Sequence, residues 1–120
     1  MLTQKQLSRT VKRGDVYTCI LPPEKGSVQS GTRPVVVIQN DVGNIFSPTT
    51  IIAPFTSKLE KAKLPTHMNI SNEKIQKNSI ILLEQIKTVD KSTLKDKLFS
   101  LTEDEIEELN KCIKISLSLN

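Results

Sequence analysis

The sequence has no tryptophan, one tyrosine and three phenylalanines among its 120 residues. Single-stranded RNA-binding domains of the RRM and OB types stack bases on several aromatic side chains. The chain is therefore not expected to hold a nucleic acid by base stacking.

Histidine and cysteine are equally scarce, with one histidine, His67, and two cysteines, Cys19 and Cys112. A structural zinc site needs four such ligands at characteristic spacings, which these residues do not supply. A single histidine also excludes a two-histidine ribonuclease mechanism, and we expect His67 to be a hydrogen-bonded structural residue. We expect both cysteines to be reduced core residues.

The sequence has no apolar run approaching the ~20 residues of a membrane span, so no membrane association is expected. Its first nine residues lack the apolar core of a signal peptide, which favours a cytoplasmic protein. The length predicts one domain. Residues 1–12 are polar and predict a flexible N-terminal arm, followed by a single domain at 13–120.

Acidic residues are slightly outnumbered, 13 against 17 lysines and arginines, for a net charge of +4. This balance favours an anionic partner such as RNA or an acidic peptide, although a solubilising surface explains it equally well. Outside the run Glu103–Glu108 the acids occur singly, so no carboxylate cluster for Mg²⁺ is expected. We therefore predict neither a metal site nor a cofactor.

Short β-branched and apolar segments separated by turn-forming residues predict a series of strands. The strands are predicted at 14–21, 34–39, 49–56, 67–70, 80–83, 86–89 and 98–101, with a turn at 40–44, a loop at 57–64 and a turn or single helical turn at 91–96. Thr102 and Glu105 form a capping-box pattern that predicts a C-terminal helix. Many strands followed by one helix favour a small twisted antiparallel barrel or sandwich.

The loop Gly26–Pro34 is the segment most suggestive of function. Its small residues allow backbone amides to approach an anion, and the guanidinium of Arg33 can bind a phosphate through two hydrogen bonds. Taken alone, the segment fits a surface loop with a solvated arginine at least as well.

Five segments in order along the chain together resemble the MazF/PemK family of toxin endoribonucleases, in particular the MazF type of Gram-positive bacteria. The segments are Arg13-Gly-Asp-Val-Tyr17, Gly31-Thr-Arg-Pro-Val-Val-Val-Ile-Gln-Asn-Asp-Val-Gly-Asn44, Ser47-Pro48-Thr49, Lys61-Ala-Lys-Leu-Pro-Thr-His67 and Ile81-Leu-Leu-Glu-Gln-Ile86. The resemblance extends from residue 13 to about residue 119, nearly the whole chain.

The resemblance implies a mainly β fold with helices, a small SH3-like (CcdB/MazF-like) antiparallel β-barrel with a C-terminal helix that forms a homodimer. It implies a toxin of a type II toxin–antitoxin system that cuts single-stranded RNA, including mRNA, at short sequences without a metal ion. The implied partner is a MazE-like antitoxin, and the toxin–antitoxin complex is implied to bind DNA.

By the same resemblance, the catalytic residues are Arg33 and Thr56. The implied RNA-binding residues are Ser27, Gln29, Gln85 and Lys87. The family loop usually reads Gly-Ser-Glu-Gln, and here Val28 replaces the glutamate, which bears on any mechanism using that carboxylate as a base. The alternative is a non-catalytic CcdB-like toxin that binds DNA gyrase.

Overall fold

The computed structural model describes residues 10–58, 63–75 and 78–120. Its elements are β1 (Asp15–Leu21), β2 (Gly31–Val37), α1 (Asp41–Phe46), β3 (Thr49–Thr56), β4 (His67–Ile70), β5 (Ser79–Leu82), β6 (Lys87–Asp90), a 3-10 turn (Lys91–Thr93), β7 (Leu94–Ser100) and α2 (Glu103–Ser116). Residues 1–9 of the predicted arm and 59–62 of the predicted loop lie outside the described residues. Val11 is already buried in the core.

The strands form one antiparallel sheet in the order β4-β5-β3-β2-β1-β7, and β6 pairs with β3 beside this path. The predicted β-rich fold with a C-terminal helix is confirmed. Across the described residues, however, no pairing joins the end strands β4 and β7, so the sheet is open and the predicted barrel is not closed.

Strand β3 changes partner along its length. Its residues Thr49–Ile52 pair with β6, whereas Phe55 and Thr56 pair with β5. Pro54 lies between these two pairings and is opposite Val35 of β2. A proline has no N–H to donate to a ladder, and at this junction neither β5 nor β6 requires one. The change of partner therefore lets a proline occupy the interior of this central strand.

Both faces of the sheet are covered at β2. Consecutive residues of this strand are buried in two different clusters, one on each face. Val36 packs in a cluster with Phe55, Ile81 and the helix residue Leu109. Val35, by contrast, packs on the other face in a cluster that contains Cys19, Ile52, Val89 and Leu94. Alternate side chains of a strand point to opposite faces, so burial of both leaves this strand firmly fixed.

The C-terminal helix α2 begins at the predicted capping box. The Thr102 side chain accepts a hydrogen bond from the backbone N–H of Glu105 at 3.2 Å, and the Glu105 carboxylate accepts one from the backbone N–H of Thr102 at 2.9 Å. The helix buries Leu109 and Cys112 against the sheet. No helix among the residues that the structure describes is long and apolar enough to cross a membrane.

Helix α1 occupies the segment predicted as a turn at 40–44, and that prediction is wrong. Asn40 caps the helix by accepting a hydrogen bond from the backbone N–H of Gly43 at 2.8 Å. The buried Lys91 ammonium donates to the carbonyl of Asn44 near the helix end. Burial lowers the pKa of Lys91. The turn-forming residues of this short segment are thus held helical partly by a lysine distant in sequence.

Candidate active site

Arg33 lies near the start of β2, two residues after Gly31, whose φ of +79° suits glycine. The Arg33 Nε–H donates to the carbonyl of Ser30 at 2.7 Å, which fixes the plane of the half-buried guanidinium. No described carboxylate forms an ion pair with Arg33. Its terminal nitrogens thus remain available to an anion.

Thr56 is the last residue of β3 and is 2% exposed. Its backbone is held by pairing with Ile80 of β5. The Thr56 hydroxyl oxygen accepts a hydrogen bond from the backbone N–H of Lys58 at 3.2 Å. Because this contact uses only the oxygen, the hydroxyl proton can be donated to another group.

The two predicted catalytic residues line the same small cleft. The pairing of β2 with β3 ends at Val35 and Pro54, and Arg33 and Thr56 each lie two residues beyond that last pair. The cleft has a volume of about 110 Å³, and we call it the central cleft; its lining residues are Thr32, Arg33, Pro34, Phe55, Thr56, Ser57 and Ser79. A guanidinium among hydroxyls, with no carboxylate in the part of the lining that the structure describes, suits a phosphate better than a cation.

A second cleft of about 230 Å³ lies under the β1–β2 loop, and we call it the loop cleft. Its lining residues are Gly26, Ser27, Val28, Gln29, Ser30, Arg33 and Lys58. Arg33 therefore belongs to both clefts and joins them. With two cations and no acid among its described lining residues, the loop cleft favours an anionic ligand.

The side chain of Gln85 clamps the β1–β2 loop. Its Oε1 accepts from the backbone N–H of Gln29 at 2.8 Å, and its Nε2 donates to the carbonyl of Ser27 at 2.9 Å. An ion pair of 3.6 Å between Lys87 and Glu24 adds a third link. The structure thus brings all four predicted RNA-binding residues to the loop and its support, where the Gln85 amide already bonds the loop backbone.

The Gln29 side chain is largely buried, with 8% of the residue exposed. Its Oε1 has no hydrogen-bond partner among the described residues. A buried amide oxygen without a partner costs free energy, so a ligand donor that reached it would gain a strong contact. Among the loop residues, Gln29 is thus the one whose free acceptor is best placed to bind a ligand donor.

His67 lies outside both clefts and is engaged in local hydrogen bonds. Its Nδ1 accepts from the backbone N–H of Leu64 at 3.3 Å, so Nε2 carries the proton that faces the Glu84 carboxylate at 2.8 Å. This geometry matches the structural role expected from the sequence. Glu84 also accepts from the Thr66 hydroxyl, which ties β4 to the segment that carries Gln85.

Thiol and metal chemistry find little support in the described part of the chain. Cys19 and Cys112 are free and buried, and burial raises the pKa of both thiols. Buried thiols with raised pKa values are poor nucleophiles. The residues described do not bring three His, Cys, Asp or Glu side chains together.

Lys58 and Ser79 line the clefts but were not among the residues predicted from the sequence. Lys58 follows Thr56 by two residues in a lysine-rich segment, and nothing in that composition distinguishes it from its neighbours. Ser79 precedes the apolar strand predicted at 80–83, so only the pairing of β5 with β3 brings it to the site.

Comparison with known proteins identifies relatives of the chain. Residues 12–117 match the model of a family described as PemK-like, MazF-like toxins of type II toxin–antitoxin systems. An endoribonuclease MazF of Staphylococcus saprophyticus subsp. saprophyticus is 53% identical over 112 residues, which cover 92% of this chain and 93% of that protein. The resemblance identified from the sequence is thereby confirmed.

Solved structures share the fold at low sequence identity. MazF (Form-I) of Deinococcus radiodurans aligns with a TM-score of 0.77 at 18% identity, covering 92% of this chain and 98% of that one. An endoribonuclease from a mycobacterial species, in complex with its cognate antitoxin, aligns with a TM-score of 0.71 at 21% identity, covering 92% and 96%. These likenesses establish the fold.

Proposed function

The chain belongs to the PemK-like, MazF-like toxins of type II toxin–antitoxin systems and is an endoribonuclease, and we propose that it cuts single-stranded RNA, including mRNA, at specific short sequences without a metal ion. The ribose 2′-hydroxyl is the proposed nucleophile. The products are a 2′,3′-cyclic phosphate on the upstream fragment and a 5′-hydroxyl on the downstream fragment. The observation that carries this proposal is the lining of one cleft by Arg33 and Thr56.

RNA brings its own nucleophile, because the 2′-hydroxyl lies next to the phosphorus. The protein therefore has to align this group with the leaving oxygen and stabilise the charge that develops on the phosphoryl oxygens. The Arg33 guanidinium, with Nε anchored on Ser30, directs its terminal N–H groups at those oxygens. Thr56 donates its hydroxyl proton to the phosphate or orients the attacking hydroxyl.

Proton transfer from the 2′-hydroxyl does not use a carboxylate at the position of Val28. Val28 is 45% exposed in the loop. An arginine guanidinium has no acceptor and is not deprotonated in proteins, which makes it a poor base. We therefore assign Arg33 an electrostatic role, and Val28 is expected to alter sequence preference.

The proposed RNA contacts outside the central cleft are Ser27, Gln29, Gln85 and Lys87. Ser27 and Gln29 line the loop cleft next to two cations, and Gln29 has the unpartnered oxygen. Gln85 bonds the loop backbone at Gln29, and Lys87 forms an ion pair with Glu24. Bases of the recognised sequence would thus be read by the loop while Arg33 holds the phosphate.

The proposed partners are a second copy of the chain and a MazE-like antitoxin. Large apolar side chains are exposed on α1, where Val42 and Phe46 are each 68% exposed, and near the end of α2, where Leu117 is 55% exposed. A homodimer is checked by light scattering. An antitoxin with an acidic, partly apolar segment fits the cationic clefts, and the complex is proposed to bind DNA.

Analysis of the reaction products tests the chemistry directly. Cleavage should persist in excess EDTA, and a single 2′-deoxyribose upstream of the cut should block it while leaving binding nearly unchanged. Mass spectrometry that found a 5′-phosphate on the downstream fragment would refute the mechanism. Thr56→Ala should lose activity and Thr56→Ser should retain part of it. A protein that poisons gyrase and leaves RNA intact would support the CcdB-like alternative.

A further inference from the structure

A third cleft of about 550 Å³ lies at the edge of the sheet, next to the central cleft. We call it the edge cleft, and its polar lining residues are Lys63, Asn69, Ser71, Asn78 and Ser79. Ser79 also lines the central cleft, just as Arg33 lines both the central and the loop clefts. The three clefts therefore follow one another, with the central cleft in the middle.

The edge cleft contains unused hydrogen-bonding groups. Asn69 and Asn78 are exposed, and within the described ranges neither side-chain amide has a hydrogen-bond partner. Each amide offers donors and an acceptor together, the combination that pairs with the edge of a base. Lys63 adds a positive charge, and none of the described residues that line the three clefts is acidic.

The accessible surface of the edge cleft is part polar and part apolar. The apolar residues in its lining, Ile70 and Ile80, are only 5% and 2% exposed. The alternation along β4 turns Met68 and Ile70 inward and leaves Asn69 facing the solvent. The two free amides and the charge of Lys63 match the base edge and the phosphate of an unpaired nucleotide.

We propose that the edge cleft binds RNA nucleotides on the side of the cut that lies away from the β1–β2 loop. Asn69 and Asn78 bond base edges, and Lys63 contacts a backbone phosphate. This subsite rests on the proposed function, since Ser79 joins the edge cleft to the central cleft in which Arg33 holds the phosphate. Specificity would then extend to both sides of the cut.

The test combines protein variants with shortened substrates. A synthetic RNA centred on a mapped cut site is shortened stepwise from each end, and kcat/KM is measured for the wild type, the double variant Asn69→Ala/Asn78→Ala and the control Asn120→Ala. Each amide should contribute roughly three- to tenfold to kcat/KM, the range for a net hydrogen bond. The control removes an exposed asparagine that lines none of the clefts.

We expect shortening from one end to lower kcat/KM of the wild type, and the double variant to show the same low value with both the long and the short RNA. Shortening from the other end should affect both proteins equally. A double variant that loses the same factor at every RNA length would overturn the subsite alone. Loss of dimer or antitoxin binding with unchanged kinetics would assign the cleft to a protein partner. If the wild type cleaves no RNA, the proposed function fails as well.

Discussion

Removing the Gln85 clamp should loosen the β1–β2 loop without unfolding the sheet. Gln85→Ala deletes two hydrogen bonds, at 2.8 Å to the N–H of Gln29 and at 2.9 Å to the carbonyl of Ser27. A net hydrogen bond contributes about 0.5–1.5 kcal/mol, and a buried donor left unpaired costs about 1–3 kcal/mol. A loss of about 2 kcal/mol in loop stability corresponds to a roughly 30-fold larger open population.

Two further variants separate the contributions to the loop. Gln85→Glu keeps the acceptor for the Gln29 N–H but loses the donor to Ser27, so its effect should be about half as large in free energy. Lys87→Ala removes only a solvent-accessible ion pair of 3.6 Å. Such pairs contribute less than about 1 kcal/mol, so this variant serves as a matched control for opening of the loop.

Amide hydrogen exchange measured by NMR reads the loop directly. Exchange at the Gln29 N–H should accelerate strongly in Gln85→Ala, moderately in Gln85→Glu and little in Lys87→Ala, while amides of β3 keep their protection. kcat/KM for RNA should fall more in Gln85→Ala than in Gln85→Glu, because the loop also carries the Ser30 carbonyl that orients Arg33. Unchanged exchange at Gln29 together with a large loss of activity would refute the clamp and leave only the proposed RNA contact of Gln85.

Three other perturbations test separate parts of the molecule. Arg33→Lys should lower kcat at least ~100-fold with the fold intact by circular dichroism, because a point charge cannot replace the two-pronged guanidinium; near-normal turnover would move the catalytic role elsewhere. Gly14→Ala should lower the free energy of unfolding, measured with urea, by about 1–2 kcal/mol. Gly14 has φ +93°, and a Cβ there would lie 2.6 Å from Ile106 Cδ1. Unchanged stability would contradict this strain. Because burial raises the pKa of Cys19 and Cys112, Ellman's reagent at neutral pH should label the native thiols far more slowly than the urea-unfolded ones, and equal rates would show that they are accessible.

Elements whose determinants are local were predicted well from the sequence. Strand β3 has the predicted bounds, Thr49–Thr56, because its β-branched run ends at a charged segment. The start of α2 follows from Thr102 and Glu105, which are three residues apart and bond each other. Helix α1 was missed because its support comes partly from Lys91, 47 residues after Asn44 in the chain.

The candidate site divides in the same way. The family resemblance identified Arg33 and Thr56 as a pair, and their shared cleft follows from the register of β2 with β3. The amide clamp of Gln85 on Ser27 spans 58 residues, so no local pattern could reveal it. Strand β7 begins at Leu94, four residues before the predicted start at residue 98. Its irregular pairing with β1 accommodates the charged residues of the additional segment.

The order of strand pairing has a consequence for the chain during its synthesis. Arg33 and Thr56 are both made before the midpoint, yet Thr56 depends on Ile80, and β1, which flanks Arg33, depends on pairing that reaches Ser100. Such long-range pairings form only after the intervening chain is available. A growing polypeptide on the ribosome therefore carries the two proposed catalytic residues long before it can assemble them. We expect prematurely terminated products to be unable to attack the RNA that encodes them.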